Sequence, residues 1–245
     1  MTTPDPNVPE QDAPDAGAPT PPSKIYVLLD RSGSMSPMVD DVLGGFNNLL
    51  AELTRDGSTA TVTLVQFDSG DPLDVVADAV PLAEMRPLDR ETYVPRGGTP
   101  LLDATGRLVN RAAERARQRA EAGLPKEEVL FISITDGQEN QSREFTLETV
   151  RSLIDAYTTA GWQFVFMGAG IDVYQEAQSM GYDAASVQEF MADGAGTTAA
   201  WGSLSAKTVD RERKLRRRER IDQRDFFEGD KPAEEDRRRR GDGQA

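Results

Sequence analysis

Five side chains with hard oxygen atoms stand where an apolar run ends or a helix begins. The run Asp30-Arg31-Ser32-Gly33-Ser34-Met35 places one carboxylate and two hydroxyls within five residues. Gly97-Gly98-Thr99-Pro100 adds a third hydroxyl, and Thr135-Asp136-Gly137 a second carboxylate. Hard cations such as Mg²⁺ take oxygen ligands of this kind, and Mg²⁺ usually keeps part of its water shell. Two carboxylates just compensate a divalent ion. With some of the five acting through water, at least one position stays open to an incoming anionic oxygen, such as a carboxylate from a partner protein. Singly, each piece has a bland structural role: Asp-x-Ser and Asp-Gly suit turns, and a Thr before Pro suits a helix start. Taken together and in this order, they favour a metal.

The elements that must position these groups can be read from periodicity. Lys24 to Leu29 is a continuous apolar run and reads as a buried strand. Val42, Phe46, Leu49, Leu50 and Leu53 recur at helical spacing, and Asp56-Gly57 closes that helix. Thr61 to Phe67 alternates, with Val62, Leu64 and Phe67 facing inward. Ser69-Gly70-Asp71-Pro72 is turn chemistry, so the half-polar run Leu73 to Val80 pairs back antiparallel as a hairpin at the sheet edge. A helix is predicted from Pro100 to Ala122, with Leu101, Thr105, Leu108, Val109, Ala112 and Ala116 on its inner stripe. Thr99 takes its N-cap and Pro100 its first helical position.

Val129 to Ile134 and Trp162 to Met167 read as further buried strands. They flank a helix carrying Val150, Leu153, Ile154 and Tyr157. Asp172-x-x-Gln175 has the form of a capping box for a short helix ending at Gly181. A weak strand near Ala185-Ser186-Val187 follows, and then a helix from Thr197 to about Arg218 with Trp201, Leu204 and Val209 on its apolar side. Alternating strands and helices predict an α/β, doubly wound, mostly parallel sheet with one antiparallel edge strand and helices on both faces. Ligands of such sheets bind outside the carboxyl ends of the strands. Asp30 and Asp136 both fall there.

The pattern D-x-S-x-S, then T, then D, resembles the metal-ion-dependent adhesion site of von Willebrand factor type A (vWA) domains. The likeness spans roughly residues 24–205 and all five positions fit without substitution. It implies Mg²⁺ or Mn²⁺ as cofactor, with Asp30, Ser32, Ser34, Thr99 and Asp136 as the metal set. It further implies direct ligation by Ser32 and Ser34, a water-mediated role for Asp30, and direct and water-mediated roles exchanged between Thr99 and Asp136. In the family that exchange is coupled to movement of the last helix, here around Thr197 to Thr208. The implied function is metal-dependent protein recognition without catalysis by this chain. The partner would offer an Asp or Glu carboxylate, with this chain a monomer serving as adaptor in a larger intracellular assembly, one of the AAA+ ATPase type included.

Composition narrows the field. With no cysteine and no histidine among 245 residues, thiolate metal sites, the usual zinc sets and a Ser-His-Asp triad are excluded. A net charge of −14 argues against general affinity for nucleic acid or anionic membranes. Charge is uneven: from Lys207 onward there are 14 basic and 11 acidic side chains, and before it 14 basic and 31 acidic. Residues 1–23, rich in Pro, Asp and Ala, are expected to be disordered. They lack the basic and apolar regions of a signal peptide, and no run approaches the ~20 apolar residues of a membrane span, so the cytoplasm is the expected location.

Residues 206–245 read as a charged tail, helical and then disordered. Its arginines, including Arg237 to Arg240, offer a nucleic-acid alternative, weakened by the interleaved acids. Phe226-Phe227 has the form of a short docking motif. Gly168-Ala169-Gly170 lacks the third glycine of a dinucleotide turn and reads as a tight strand-to-helix turn. A metal-assisted phosphoester hydrolase using Asp30 or Asp136 is the enzymatic alternative, and it lacks an evident general base. Lys24, at the far end of the strand that leads to Ser32, is poorly placed as a base for a serine nucleophile.

Overall fold

The central strand shows why the sequence folds as it does. In a computed structural model describing residues 20–169, 172–190, 194–227 and 229, β1 (Ser23–Asp30) is buried along its whole length. Its side chains alternate: Ile25, Val27 and Leu29 enter one apolar core, Tyr26 and Leu28 the other. A strand buried on both faces reads as an unbroken apolar run, as parallel strands at the centre of a sheet do. β4 (Glu128–Thr135) and β5 (Gln163–Ala169) follow the same rule.

The sheet has the order β3-β2-β1-β4-β5-β6, with β2 at Thr61–Asp68, β3 at Asp71–Pro81 and β6 at Val187–Phe190. All neighbours are parallel except β2 and β3, which form the expected edge hairpin. Along β3, Asp71, Asp74 and Asp78, the terminal Pro81 and a left-handed Ala79 (φ 53°) interrupt the outer edge. Such features keep an edge strand from pairing with other chains. β6 is short, and it begins after a 3₁₀ turn at Ala184–Ser186 where the sequence places a strand.

Helix α1 (Val39–Arg55) follows a 3₁₀ turn at Gly33–Met38, and α5 (Gly194–Arg217) lies beside it on one face. Helices α2 (Leu101–Glu121), α3 (Leu147–Thr159) and α4 (Val173–Ser179) cover the other. The α1 residues predicted to face inward are its buried ones, Val42, Phe46, Leu49, Leu50 and Leu53. Helix α4 starts at Asp172 without the predicted side-chain cap. Among the described residues no helix is long and apolar enough to cross a membrane.

Helix α5 continues past residue 205, and part of its charged end is buried, not solvated. Arg211 and Glu212 form an ion pair at 3.0 Å with both side chains 4% exposed. Glu212 also accepts from Ser23 Oγ (2.7 Å) and Ser58 Oγ (2.9 Å), and Arg211 Nε donates to Gln163 Oε1 (3.0 Å). Leu215 is buried as well, and Arg213 and Arg216 pair with Asp56. Phe226 and Phe227 are not free to dock elsewhere. Both are buried against the body, edge to face at 4.9 Å, with the Phe227 N–H donating to the Ala185 carbonyl at 2.9 Å. Residues 1–19, the dipeptide 170–171 and residues 230–245, including Arg237 to Arg240, lie outside the described part.

Adjacent glycines of α1 allow a sharp check of this packing. A Cβ at Gly45 would come within 2.2 Å of the Trp201 ring of α5, whereas one at exposed Gly44 meets nothing within 4 Å. Gly45→Ala is expected to lower the unfolding free energy by about 1–3 kcal/mol through overpacking. Gly44→Ala is expected to raise it by up to about 1 kcal/mol through helix propensity. Urea unfolding of the two variants side by side should give midpoint shifts of opposite sign.

Candidate metal centre

The strand order reverses its winding between β1 and β4, and the crevice at such a switch point is where open α/β sheets bind ligands. Parallel register sets Leu29 beside Ile134, so Asp30 ends β1 level with Thr135 of β4. Three loops then converge on one rim: residues 31–38 after β1, 93–100 before α2, and 136–146 after β4.

Asp30 is fully buried. Its Oδ1 accepts from the Ser32 backbone N–H at 2.6 Å and its Oδ2 from Thr135 Oγ1 at 2.5 Å. The Ser32 and Ser34 hydroxyls share a hydrogen bond of 3.0 Å, and Ser34 Oγ donates to Asp136 Oδ1 at 2.8 Å. A Cβ on Gly137 would fall 2.9 Å from Thr99 Oγ1 and 3.4 Å from Ser34 Oγ. Gly137 therefore admits both hydroxyls against the backbone. These contacts bring all five oxygen-bearing residues singled out from sequence to one rim of the sheet. Burial grades outward, from Asp30, Ser32 and Thr99 inside, through half-buried Asp136, to exposed Ser34.

The start of α2 differs from the predicted cap. Pro100 occupies the N-cap position and makes no side-chain cap bond. Glu139 Oε2 instead accepts from the Leu102 N–H at 2.8 Å, and Ser142 Oγ accepts from the Asp103 N–H at 3.0 Å. With these groups from another loop serving the helix start, the Thr99 hydroxyl is not needed as its cap. Asp103 in turn accepts the N–H groups of Arg143, Glu144 and Phe145 at 2.8–2.9 Å. Thr99 and Asn140 are linked both ways, through the Thr99 N–H to Asn140 Oδ1 and the Asn140 N–H to the Thr99 carbonyl. The loops bearing Thr99 and Asp136 are one hydrogen-bonded unit.

Sequence reasoning passed over Thr135, Tyr93, Arg31 and Asp68. Tyr93, 1% exposed, donates its hydroxyl to the Asp30 carbonyl at 2.6 Å. Asp68 at the end of β2 accepts from Arg31 Nε (2.6 Å) and Arg96 Nε (2.9 Å). Only Thr135 carried a signal, as a hydroxyl immediately before a flagged aspartate. Lys24, at the opposite end of β1, donates to Thr63 Oγ1 at 2.7 Å, and burial lowers its pKa to about 8.

Electrostatics follow from burial. Desolvation pushes the Asp30 carboxyl up to about 6, against the opposing hydrogen bonds from Thr135 and Ser32. Burial also raises Asp136, opposed by the Ser34 hydroxyl. Burial pushes Asp68 the same way, but its arginine partners outweigh it and hold its carboxyl below the usual range. Among the described residues no cluster of three or more His, Cys, Asp or Glu side chains suits a metal ion. An ion at this rim would take its charge compensation from Asp30 and Asp136 and complete its shell with hydroxyls and water. That all-oxygen set fits a hard divalent cation and misfits zinc.

No protein-family model and no curated protein matches the sequence. The fold is nevertheless similar to solved structures. The pilus adhesin SpaC from Lactobacillus rhamnosus GG, in its open conformation, superposes with a TM-score of 0.58 at 12% identity, over 78% of this chain and 30% of that one. The vWA domain of SpRpn10 gives 0.51 at 9% identity, over 76% and 94%. Proximal thread matrix protein 1 from the mussel byssus gives 0.51 at 17%, over 76% and 47%. The chain thus spans less than half the length of the adhesin and the byssus protein. These likenesses establish a vWA-like α/β fold.

Asp30 makes a sign-definite prediction for the metal-free protein. Its folded pKa lies above the ordinary value of 3.8, so the fold favours the protonated carboxyl. Its contribution to stability is present below pH 4 and is lost as pH rises through 6. Asp30→Asn cannot ionise. Its amide can still accept from Ser32 and donate to Thr135, whose hydroxyl can turn to the Gly137 carbonyl 3.1 Å away. In chelator, the unfolding free energy of Asp30→Asn relative to wild type should therefore grow between pH 4 and pH 7. The gain should reach on the order of 2 kcal/mol, read by urea denaturation at the two pH values.

Proposed function

We propose that this chain is a metal-dependent protein-interaction module. Asp30, Ser32, Ser34, Thr99 and Asp136 hold Mg²⁺ or Mn²⁺, and the ion's open position receives an Asp or Glu carboxylate of a partner protein. The observation that carries this reading is the continuous set of oxygens running from buried Asp30 through Ser32 and Ser34 to Asp136. It begins on a carboxylate whose ionisation is disfavoured by burial, reaches solvent at the exposed Ser34 hydroxyl and ends on the half-buried Asp136. Such a carboxylate gains most from a nearby cation, which repays its desolvation. Bound there, the ion would supply Lewis-acid attraction for an external anionic oxygen. The chain's own residues orient the oxygens, and Thr135 and Tyr93 fix the end of β1 from which the set starts.

The same fold serves a pilus adhesin, which supports a binding role. In this reading the chain works in the cytoplasm as the recruiting part of a larger assembly and performs no catalysis itself. The α/β body is the module, and the ends of the chain flank it.

Calorimetric titration of the full chain with Mg²⁺ and Mn²⁺ tests the metal centre. Saturable binding is expected in wild type, with at least a tenfold loss in Asp30→Ala and in Thr99→Ala, while far-ultraviolet circular dichroism stays native. Unaltered binding in both variants would sink the assignment. The ion should also weaken as pH falls through about 6, because protons and metal compete for Asp30.

A further inference from the structure

Asp68, at the end of β2, is a second buried carboxylate at this end of the sheet. It is 1% exposed. One oxygen, Oδ2, accepts from both arginines, Arg31 at 2.6 Å and Arg96 at 2.9 Å. The other, Oδ1, accepts the backbone N–H groups of Gly70 (2.6 Å) and Asp71 (3.2 Å). The two arginines belong to different walls of the candidate metal centre. Arg31 lies between Asp30 and Ser32, and Arg96 three residues before Thr99. Main-chain bonds join the same walls: the Arg96 N–H donates to the Arg31 carbonyl (2.7 Å) and the Gly33 N–H to the Gly97 carbonyl (3.0 Å). Arg31 is tied further to Asp74 at 2.5 Å and to Gln66 at 3.3 Å.

This clasp pairs two guanidiniums with two carboxylates, so it adds no net charge to the rim. Buried ion pairs are poor sources of stability compared with apolar packing. What they do supply is fixed geometry, and here the geometry they fix is the gap between the loops carrying Ser32, Ser34 and Thr99. Mg²⁺ requires near-ideal octahedral oxygens at about 2.0–2.1 Å, whereas Ca²⁺ accepts more oxygens at about 2.3–2.6 Å in a flexible cage. We propose that Asp68 is a positioning residue that, through Arg31 and Arg96, holds the two walls at the spacing of a small cation and so selects Mg²⁺ over Ca²⁺. This rests on reading the five oxygens as a metal centre.

The test is calorimetric titration of the full chain with Mg²⁺ and, separately, Ca²⁺, together with the metal-free thermal midpoint. The Arg96 side chain is 59% exposed, so Arg96→Ala opens the clasp without a hole in the core. It is expected to lower Mg²⁺ affinity about tenfold, the low end for outer-shell partners of a metal. Ca²⁺ affinity and the metal-free midpoint should stay nearly unchanged. Arg96→Lys should restore most of the Mg²⁺-to-Ca²⁺ ratio, and Asp68→Asn should reduce it further than Arg96→Ala. If Asp68→Asn does not fold, the two Arg96 variants decide alone. Equal losses for both ions, or an unchanged ratio in Arg96→Ala, would overturn the selection role while leaving the metal centre standing. Absence of saturable binding of either ion to wild type would overturn both.

Discussion

A carboxylate at the end of a strand that is buried on both faces is the constraint around which this molecule is organised. Asp30 sits where β1 leaves the sheet, fully enclosed, and its charge is disfavoured by that enclosure. Burying such a group costs free energy unless donors or a cation meet it. Each surrounding loop supplies part of the answer. The chain turns immediately so that the Ser32 N–H reaches back, β4 ends on a hydroxyl at the matching register, and Tyr93 fixes the carbonyl. The donors are neutral, so they mitigate the cost without cancelling it. A residual preference for positive charge is left at the rim.

The rest of the rim is built to keep still. The loop after β4 is moulded onto the start of α2 by Asp103 and Glu139, which accept a series of backbone N–H groups that would otherwise need water. Phe145 packs where a Cβ on Gly106 of α2 would fall, at 2.3 Å. The loop before α2 is bound to the loop after β1 by backbone bonds and by the Asp68 clasp. At the opposite end of the sheet, the Arg211–Glu212 pair joins α5 to β1, β5 and the loop after α1. Sliding α5 along its axis would take both charges away from their partners. Polar groups buried in this way specify register more than they add stability.

What the sequence by itself determined is the periodic part. Apolar runs at strand length, apolar stripes at helical spacing and a turn too short for a crossover dictate an α/β sheet with an antiparallel edge. These signals are local, because side-chain alternation and the helical repeat depend only on neighbours along the chain. The five oxygen-bearing residues were legible for the same reason: each sits at a strand end or a helix start that periodicity locates. Tertiary structure alone decided that Glu139 and Ser142, not Thr99, complete the start of α2. It also decided that Arg211 and Glu212 are buried, that Phe226 and Phe227 close on the body, and that Asp68 joins two walls of the rim. Those outcomes depend on residues 28 to 189 positions apart in the chain. A charged or aromatic residue carries no mark of its distant partner until the sheet order brings the two together.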